Sequence, residues 1–329
     1  MILVTGAAGH IGNVLVRELL KEGKQVRALI LPGEDSSSLE GLDIEICLGN
    51  VLDPASLDRA MRGVELVFHL AGIISILPGQ HDLMRLVNVQ GTRNVLAAAQ
   101  KAHVKKLVYT SSIHALSRDC QGKIDERVPF DAHNQAGEYD RSKAQASLAV
   151  LEAARAGLDA VIVCPTGVVG PFDYRGSEMG DLLRSWLRKR PHLLIEGAYD
   201  FVDVRDVARG QILASQFGRA GEVYILSGWQ IKLLHLKKMV QESIKQPSLT
   251  ITVPTWLAKF GTRFTPFYYR LTGQTPKFTE YSIETVQSNS DISNQKARRE
   301  LGYRPRDLIA TIGDTVHWWL AREGKQRLS

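Results

Sequence analysis

Short apolar runs rich in Val, Ile and Leu punctuate the first half of the chain: ILVT, QVRALIL, LDIEICL, ELVFHLAG, KKLVYTSS and DAVIVC. Between them apolar positions recur at helical spacing, as in IGNVLVRELLKEG and LMRLVNVQGTRNVLAAAQKA. Near-continuous apolar strands suit a parallel sheet, because helices cover both of its faces. Six such runs alternating with helices predict a doubly wound α/β sheet, a Rossmann fold, over residues 1–165. The alternation stops near Cys164, and past Pro171 the chain becomes irregular and more aromatic. FVDVRDVARGQILA, at 201–214, again reads as strand into helix, so 201–228 is expected to return to the first domain. Residues 166–200 and 229–306 are left for a smaller substrate lobe, and 307–329 for a C-terminal helix carrying Trp318 and Trp319. That lobe holds Trp229, Trp256, Phe260, Phe264, Phe267, Tyr268 and Tyr269, with prolines between them.

Composition narrows the class. The 329 residues suffice for one large domain or two closely joined ones, with the 44% hydrophobic and 23% charged content of a globular protein. The net charge of +6 is spread rather than clustered. Nucleic-acid binding would want a basic stripe with aromatics between, so no nucleic-acid partner is expected. Cys47, Cys120 and Cys164 are odd in number and far apart, which fits neither a disulfide framework nor a zinc site but does fit a reducing compartment. No secretory signal is read in MILVTGA, and no apolar run reaches membrane-spanning length. The expectation is a cytoplasmic protein with no bound metal and no integral membrane association.

The first strand ends in VTGAAGHIG, with Gly6, Gly9 and Gly12 spaced three apart before an amphipathic helix. Glycine permits the tight turn and the close approach of a pyrophosphate, and the helix start at His10 and Ile11 offers free N–H groups and a positive dipole end. In this strand-to-helix context the triplet is a dinucleotide-binding signal. An acid about 20 residues on would hold ribose hydroxyls, whereas a basic residue would favour a 2′-phosphate. Here the strand ends ALILPGED: Leu31 stands near the deciding position, and Glu34 and Asp35 come slightly late. The missing acid gives a small preference for NADP(H) over NAD(H).

EYDRSKAQA, at 138–146, puts Tyr139 and Lys143 four residues apart on one helix face, and no other tyrosine has a lysine four residues after it. Together with TGAAGHIG, FHLAG (68–72), NVQGT (88–92), YTSS (109–112), YDRSK (139–143) and PTGVVGP (165–171), the chain resembles the extended short-chain dehydrogenase/reductase family over nearly its whole length. VYTSSI and CPTGVVGPF look most like its dihydroflavonol-reductase-like and 3β-hydroxysteroid-dehydrogenase-like members. The resemblance implies a catalytic set of Ser112, Tyr139 and Lys143, with Ser111 as the competitor for the serine. It implies cofactor contacts along Leu70, Ala71 and Gly72, at Asn88 and Thr110, and at Pro165 and Val168 beside the nicotinamide. Asn50 and Val51 stand where members commonly have Asp followed by Leu or Ile against the adenine, and an amide oxygen can still accept there. Family members also often pair as homodimers.

Departures matter as well. Sugar-nucleotide members often carry Arg and Asn where this chain has Cys164 and Gly167, so two expected contacts are lost. Dehydratases typically follow a threonine with Asp-Glu, where this chain has Ser112-Ile113-His114.

The implied chemistry is hydride transfer between a nicotinamide and a ketone or secondary alcohol. A free phenol has a pKa of about 10. A nearby ammonium and an oxidised nicotinamide would lower it, making Tyr139 the proton donor in reduction and the base in oxidation. Lys143 would tune Tyr139 and hold the ribose, and Ser112 would bond the substrate oxygen. His114 is read as structural or merely exposed, with a place in the lining of the substrate site as the alternative. PTWLAKFGTRFTPFYYRL, at 254–271, is either ordinary packing or a pocket wall for a flat apolar substrate, with a membrane-surface helix disfavoured by its poor polar face. The leading expectation is an oxidoreductase for a hydrophobic small molecule. The alternatives are a sugar-nucleotide epimerase and a non-catalytic dinucleotide sensor.

Overall fold

The computed structural model describes residues 1–74, 81–262 and 280–326. All six expected runs form strands: β1 (Ile2–Thr5), β2 (Val26–Ile30), β3 (Glu45–Leu48), β4 (Leu66–His69), β5 (Lys106–Thr110) and β6 (Ala160–Pro165). Three further strands, β7 (Gly167–Val169), β8 (His192–Ile195) and β9 (Ala198–Asp203), precede β10 (Val223–Leu226). The last two are β11 (Trp229–Lys232) and β12 (Thr250–Val253). The main sheet has seven parallel strands in the order β10-β6-β5-β4-β1-β2-β3. Its order reverses between β1 and β4, and open α/β sheets bind ligands at such a switch point, beyond the carboxyl ends of the strands.

Successive side chains of a strand enter opposite cores. Leu3, Val67, Leu107 and Ile162 enter one apolar cluster, and Val4, Phe68, Val108 and Val163 enter the other. Burial of each such side chain contributes about 1.5–3 kcal/mol, so both faces must be covered. Helix α1 (His10–Lys21) packs beside the long helix Val204–Phe217 on one face, and helices Thr92–Lys101 and Glu138–Arg155 cover the other.

The segment 201–214 departs in part from expectation. Its strand, β9, stays out of the main sheet and pairs in parallel with β7, Val168 opposite Val202. Only Thr166 separates β7 from β6, so the chain leaves the main sheet there and gives β9 an edge of its own. The helix after β9 does pack on α1, and β10 becomes the seventh strand beside β6.

A third apolar cluster gathers Trp186, Leu236, Val240, Ile312 and Val316, from the segments between β7 and β12 and from the C-terminal helix Leu308–Gln326. The aromatic stretch at 254–271 is described only to 262, so Phe264, Phe267, Tyr268 and Tyr269 lie outside the described residues.

Candidate active site

The glycine loop sits where β1 feeds α1. Gly6 has φ +68°, and a Cβ on it would lie 2.7 Å from the Ala71 nitrogen. A Cβ on Gly12 would lie 2.1 Å from the Gly6 carbonyl oxygen. Side chains are therefore barred from both positions, and Gly9 closes the turn by donating its N–H to Gly6 at 3.1 Å. Helix α1 begins with no side-chain cap and no acid in its first turn, leaving its N-terminal donors for an anion. This cradle fits a dinucleotide pyrophosphate. His10 turns its ring away, Nε2 donating to the Pro171 carbonyl at 3.0 Å, and burial lowers its pKa.

One hydrogen-bond chain fixes the backbone at the end of β4. The N–H groups of Leu70 and Ala71 donate to Thr5 Oγ1, whose hydroxyl meets His69 Nδ1 at 2.7 Å. His69 Nε2 meets Thr92 Oγ1 at 3.0 Å, and Thr92 donates to the Asn88 carbonyl. Burial pulls the His69 pKa down to about 3, so the ring is neutral and can accept on one nitrogen while donating from the other. Asn88 lies in a π-helical turn, Leu86–Gly91. Its side chain accepts from Ile73 N–H at 2.7 Å and donates to Ser142 Oγ at 2.9 Å. Asn88 thus ties the 70–73 segment to the helix of Tyr139 with its own groups already engaged. Gly72 passes just beneath it, a Cβ there lying 3.1 Å from Asn88 Oδ1.

At the adenine end, the Asn50 side-chain oxygen accepts from the Leu52 N–H at 2.9 Å, which leaves one lone pair for an adenine amino group. Val51 is buried beside Gly91. Leu31 is exposed, and its N–H donates to Glu34 Oε2 at 3.1 Å. The acid that comes late in the sequence is folded back to the end of β2. Pro165 ends β6, and half-buried Val168 sits in β7, in the separate three-stranded sheet.

Tyr139 and Lys143 occupy the first turns of Glu138–Arg155, and Ser112 follows β5. Lys143 is buried and donates from Nζ to the Thr110 carbonyl at 2.6 Å, with the Tyr109 ring 4.6 Å away. Thr110 uses its hydroxyl elsewhere, on Gln211 at 3.0 Å. The two serines are separated by their partners. Ser111 Oγ lies 2.6 Å from Ser147 Oγ, inside the helix packing. Ser112 Oγ accepts from the His114 N–H at 3.2 Å and hydrogen-bonds the Tyr139 phenol.

Burial sets the electrostatics of the protein alone. Burial pushes the Tyr139 phenol up to about 12, and the Ser112 bond offsets only part of that. Burial pulls the Lys143 ammonium down to about 7. Both charged forms lose solvation in the same recess, and that loss outweighs any favour the lysine does the phenolate. The protein alone therefore holds Tyr139 as a protonated donor rather than depressing its pKa.

Sequence reasoning missed the surroundings of Tyr139. The His114 ring lies 6.5 Å from the Tyr139 ring, edge to face, and stacks on Tyr199 at 5.9 Å. Its Nδ1 faces Arg118 Nη2, which can only donate, so the proton belongs on Nε2 and is given to the Tyr199 hydroxyl at 2.7 Å. Burial lowers the His114 pKa to about 4. Next to Tyr139, fully buried Asp140 accepts from Arg118 at 2.7 Å and from the Tyr281 hydroxyl at 2.8 Å. Tyr199 and Tyr281 come from β9 and from the helix Glu280–Gln287, too distant in sequence for any local pattern to link them to Tyr139.

Comparison with known proteins agrees with this geometry. A family model described as NAD dependent epimerase/dehydratase family matches residues 2–227. The chain is 34% identical to sterol demethylase protein B of Methylococcus capsulatus, over 97% of this chain and 98% of that protein. It is 32% identical to a putative dihydroflavonol 4-reductase of Synechocystis, over 96% of this chain and 93% of that protein. The solved structure of gox2253 superposes with a TM-score of 0.85 at 31% identity, covering 98% of each chain.

Proposed function

This chain belongs to the NAD dependent epimerase/dehydratase family, and we propose that within it the chain is a ketoreductase for a hydrophobic small molecule. The observation that carries this reading is at Gly167, where sugar-nucleotide members often have asparagine. A Cβ there would lie 2.7 Å from Tyr199 Cε1, so an aromatic ring bonded to His114 fills the place of the amide. The substrate side of Tyr139 is then walled by rings, which suits a flat apolar ketone better than a sugar diphosphate. The names of the relatives, a sterol demethylase protein and a dihydroflavonol reductase, point to polycyclic apolar substrates in the same way.

The bound nicotinamide supplies or takes the hydride. Tyr139, protonated at neutral pH, donates its proton to the carbonyl oxygen, and in the reverse direction it must first lose that proton. Ser112 holds the phenol and shares the substrate oxygen with it. Lys143 braces the recess through the Thr110 carbonyl and would hold the ribose hydroxyls of the bound cofactor. The glycine cradle and the uncapped start of α1 hold the pyrophosphate. NADP(H) is the cofactor we favour over NAD(H). A cytoplasmic homodimer is the setting that the family resemblance suggests.

The test follows reduced-nicotinamide absorbance with steroid, flavonoid and simple aromatic ketones, with nucleotide sugars as the contrast. Oxidation of the cofactor by an apolar ketone, lost in Tyr139→Phe, is the expected result. Isomerisation of a nucleotide sugar without net cofactor change would replace this reading with the epimerase. Tight dinucleotide binding without turnover of either substrate class would replace it with the sensor.

A further inference from the structure

Residues 171–175 form a strap over the dinucleotide cradle, and each step of the strap meets a different part of it. Pro171 accepts from His10 at 3.0 Å, and Phe172 accepts from Asn13 Nδ2 at 3.1 Å. The Tyr174 hydroxyl lies 3.5 Å from Arg17 Nη2. Arg175 reaches furthest, with Nη1 on Glu34 Oε1 at 2.9 Å and Nη2 on the Asp35 carbonyl. Phe172 takes φ +68°, unusual for a bulky residue, so the path of the strap is imposed by these contacts rather than by local preference.

We propose that Arg175 and Glu34 select between the two nicotinamide dinucleotides: Arg175 receives the 2′-phosphate of NADP(H), and Glu34 receives the free ribose hydroxyls of NAD(H). The proposal rests on the reading that the cradle binds a nicotinamide dinucleotide. Position and chemistry support it. Glu34 Oε2 already lies on the Leu31 N–H at the end of β2, where ribose selection takes place. Its other oxygen is held by Arg175, so the acid and the base that would favour opposite cofactors are paired with each other. Opening that pair costs little. The two side chains are 38% and 23% exposed, and exposed ion pairs contribute only about 0–1 kcal/mol. A guanidinium–phosphate contact, bidentate and charge-assisted, is the stronger alternative for Arg175. Glu34 keeps its Leu31 partner when Arg175 leaves. A cavity of about 320 Å³, lined by Tyr174, Arg175, Asp181, Arg184, Arg322 and Glu323, gives the guanidinium room to turn. Arg322 stacks on the Tyr174 ring at 4.6 Å, and Arg17 donates to the Ser38 carbonyl at 2.8 Å, so two further guanidiniums flank the strap.

The experiment measures NADP⁺ and NAD⁺ dissociation constants by titration calorimetry, with no substrate present. It uses the full chain and the variants Arg175→Ala, Arg175→Lys and Glu34→Gln, with thermal unfolding to confirm that each is folded. Arg175→Ala is expected to weaken NADP⁺ by about tenfold or more while leaving NAD⁺ within about threefold. Arg175→Lys should recover part of the NADP⁺ affinity, because the charge remains but the fork is lost. Glu34→Gln should move the ratio the other way, tightening NADP⁺ and weakening NAD⁺. Equal loss of both dinucleotides in Arg175→Ala, or an unchanged ratio in both Arg175→Ala and Glu34→Gln, overturns the proposal. Failure of the parent chain to bind either dinucleotide overturns it too. The ketoreductase reading is judged separately, since lack of turnover alters none of these dissociation constants.

Discussion

The ring of Tyr199 stands where a side chain at position 167 would have to go, 2.7 Å from the point a Cβ on Gly167 would occupy. Gly167 and Tyr199 are thus one choice made at two positions. Gly167→Ala should push the ring off its place at a cost of about 1–3 kcal/mol, the usual penalty for overpacking. The Tyr199–His114 bond should open as a result. Turnover of apolar ketones should then fall, chiefly through a raised KM, and thermal unfolding should shift down. Tyr199→Phe separates the two effects: it keeps the ring and removes the acceptor of His114 Nε2–H, so its loss should be smaller than that of Gly167→Ala. Equal kinetics in Gly167→Ala and the parent would show that the ring does not wall the substrate.

The two serines after β5 make opposite predictions. Ser111 is paired with Ser147 inside the packing, so Ser111→Ala should lower stability by about 1 kcal/mol with kcat nearly unchanged. Ser112 faces the Tyr139 phenol, so Ser112→Ala should lower kcat by about 10²–10³-fold with little change in unfolding temperature. Steady-state kinetics beside thermal melts reads both. An exchange of the two phenotypes would reassign the serine.

The contrast between the serines shows what was legible in the sequence. Period and composition gave all six early strands, because strands buried on both faces admit few residue types. The glycine cradle was legible because its spacing is set by steric contact with backbone, as at Gly6 and Gly12. YDRSK placed Tyr139 and Lys143 because both lie within two helical turns. Ser111 and Ser112 could be told apart only by family alignment, since their difference lies in which way β5 turns them. The rings of Tyr199 and Tyr281 were not legible at all, because the β7–β9 pairing and the helix Glu280–Gln287 bring them in from far along the chain. The burial of Tyr139 and Lys143 was not legible either. A spacing reports proximity but not the loss of solvation, and here the loss of solvation dominates.

Lys143 should cost the fold stability. Its folded pKa is pulled from 10.5 to about 7 by burial. Between those values the unfolded chain binds the proton and the folded chain does not, so stability rises with pH across that window; below about 7 the cost is present in full. Lys143→Met removes the buried ammonium. The variant should therefore be more stable than the parent at pH 6, with the gap narrowing by pH 9.5, while its turnover is lost. Chemical denaturation at the two pH values measures the gap. A gap that is constant with pH would mean that Lys143 titrates normally in the folded protein.

Acid should destabilise the protein through its buried imidazoles, His10 as well as His69 and His114. His69 and His114 have folded pKa values of about 3 and about 4, below the 6.5 of an unfolded histidine, with burial the first cause for each. Both are held neutral: His69 between Thr5 and Thr92, His114 between Tyr199 and Arg118. The unfolded chain takes up protons first as pH falls below 6.5, so their contribution is fully present above 6.5 and is lost progressively toward about pH 4 for His114 and about pH 3 for His69. Asp200 works in the opposite sense. Burial raises it from 3.8 to about 6 despite its bonds from Thr166 and Gly228, so it adds stability as pH falls from 6 to 3.8. Glu126, Glu178, Asp181 and Asp206, also raised by burial, act in the same sense as Asp200, but the histidines begin to act at higher pH. The denaturation midpoint should therefore drop between pH 7 and pH 5. His114→Gln should flatten that slope, removing about 1–3 kcal/mol of pH-dependent stability over the full window. Asp200→Asn should steepen it. A midpoint that stays level from pH 7 to pH 5, or a His114→Gln slope equal to the parent's, would place the His114 ring in contact with solvent and in ordinary titration, and the aromatic wall around Tyr139 would then be open to water.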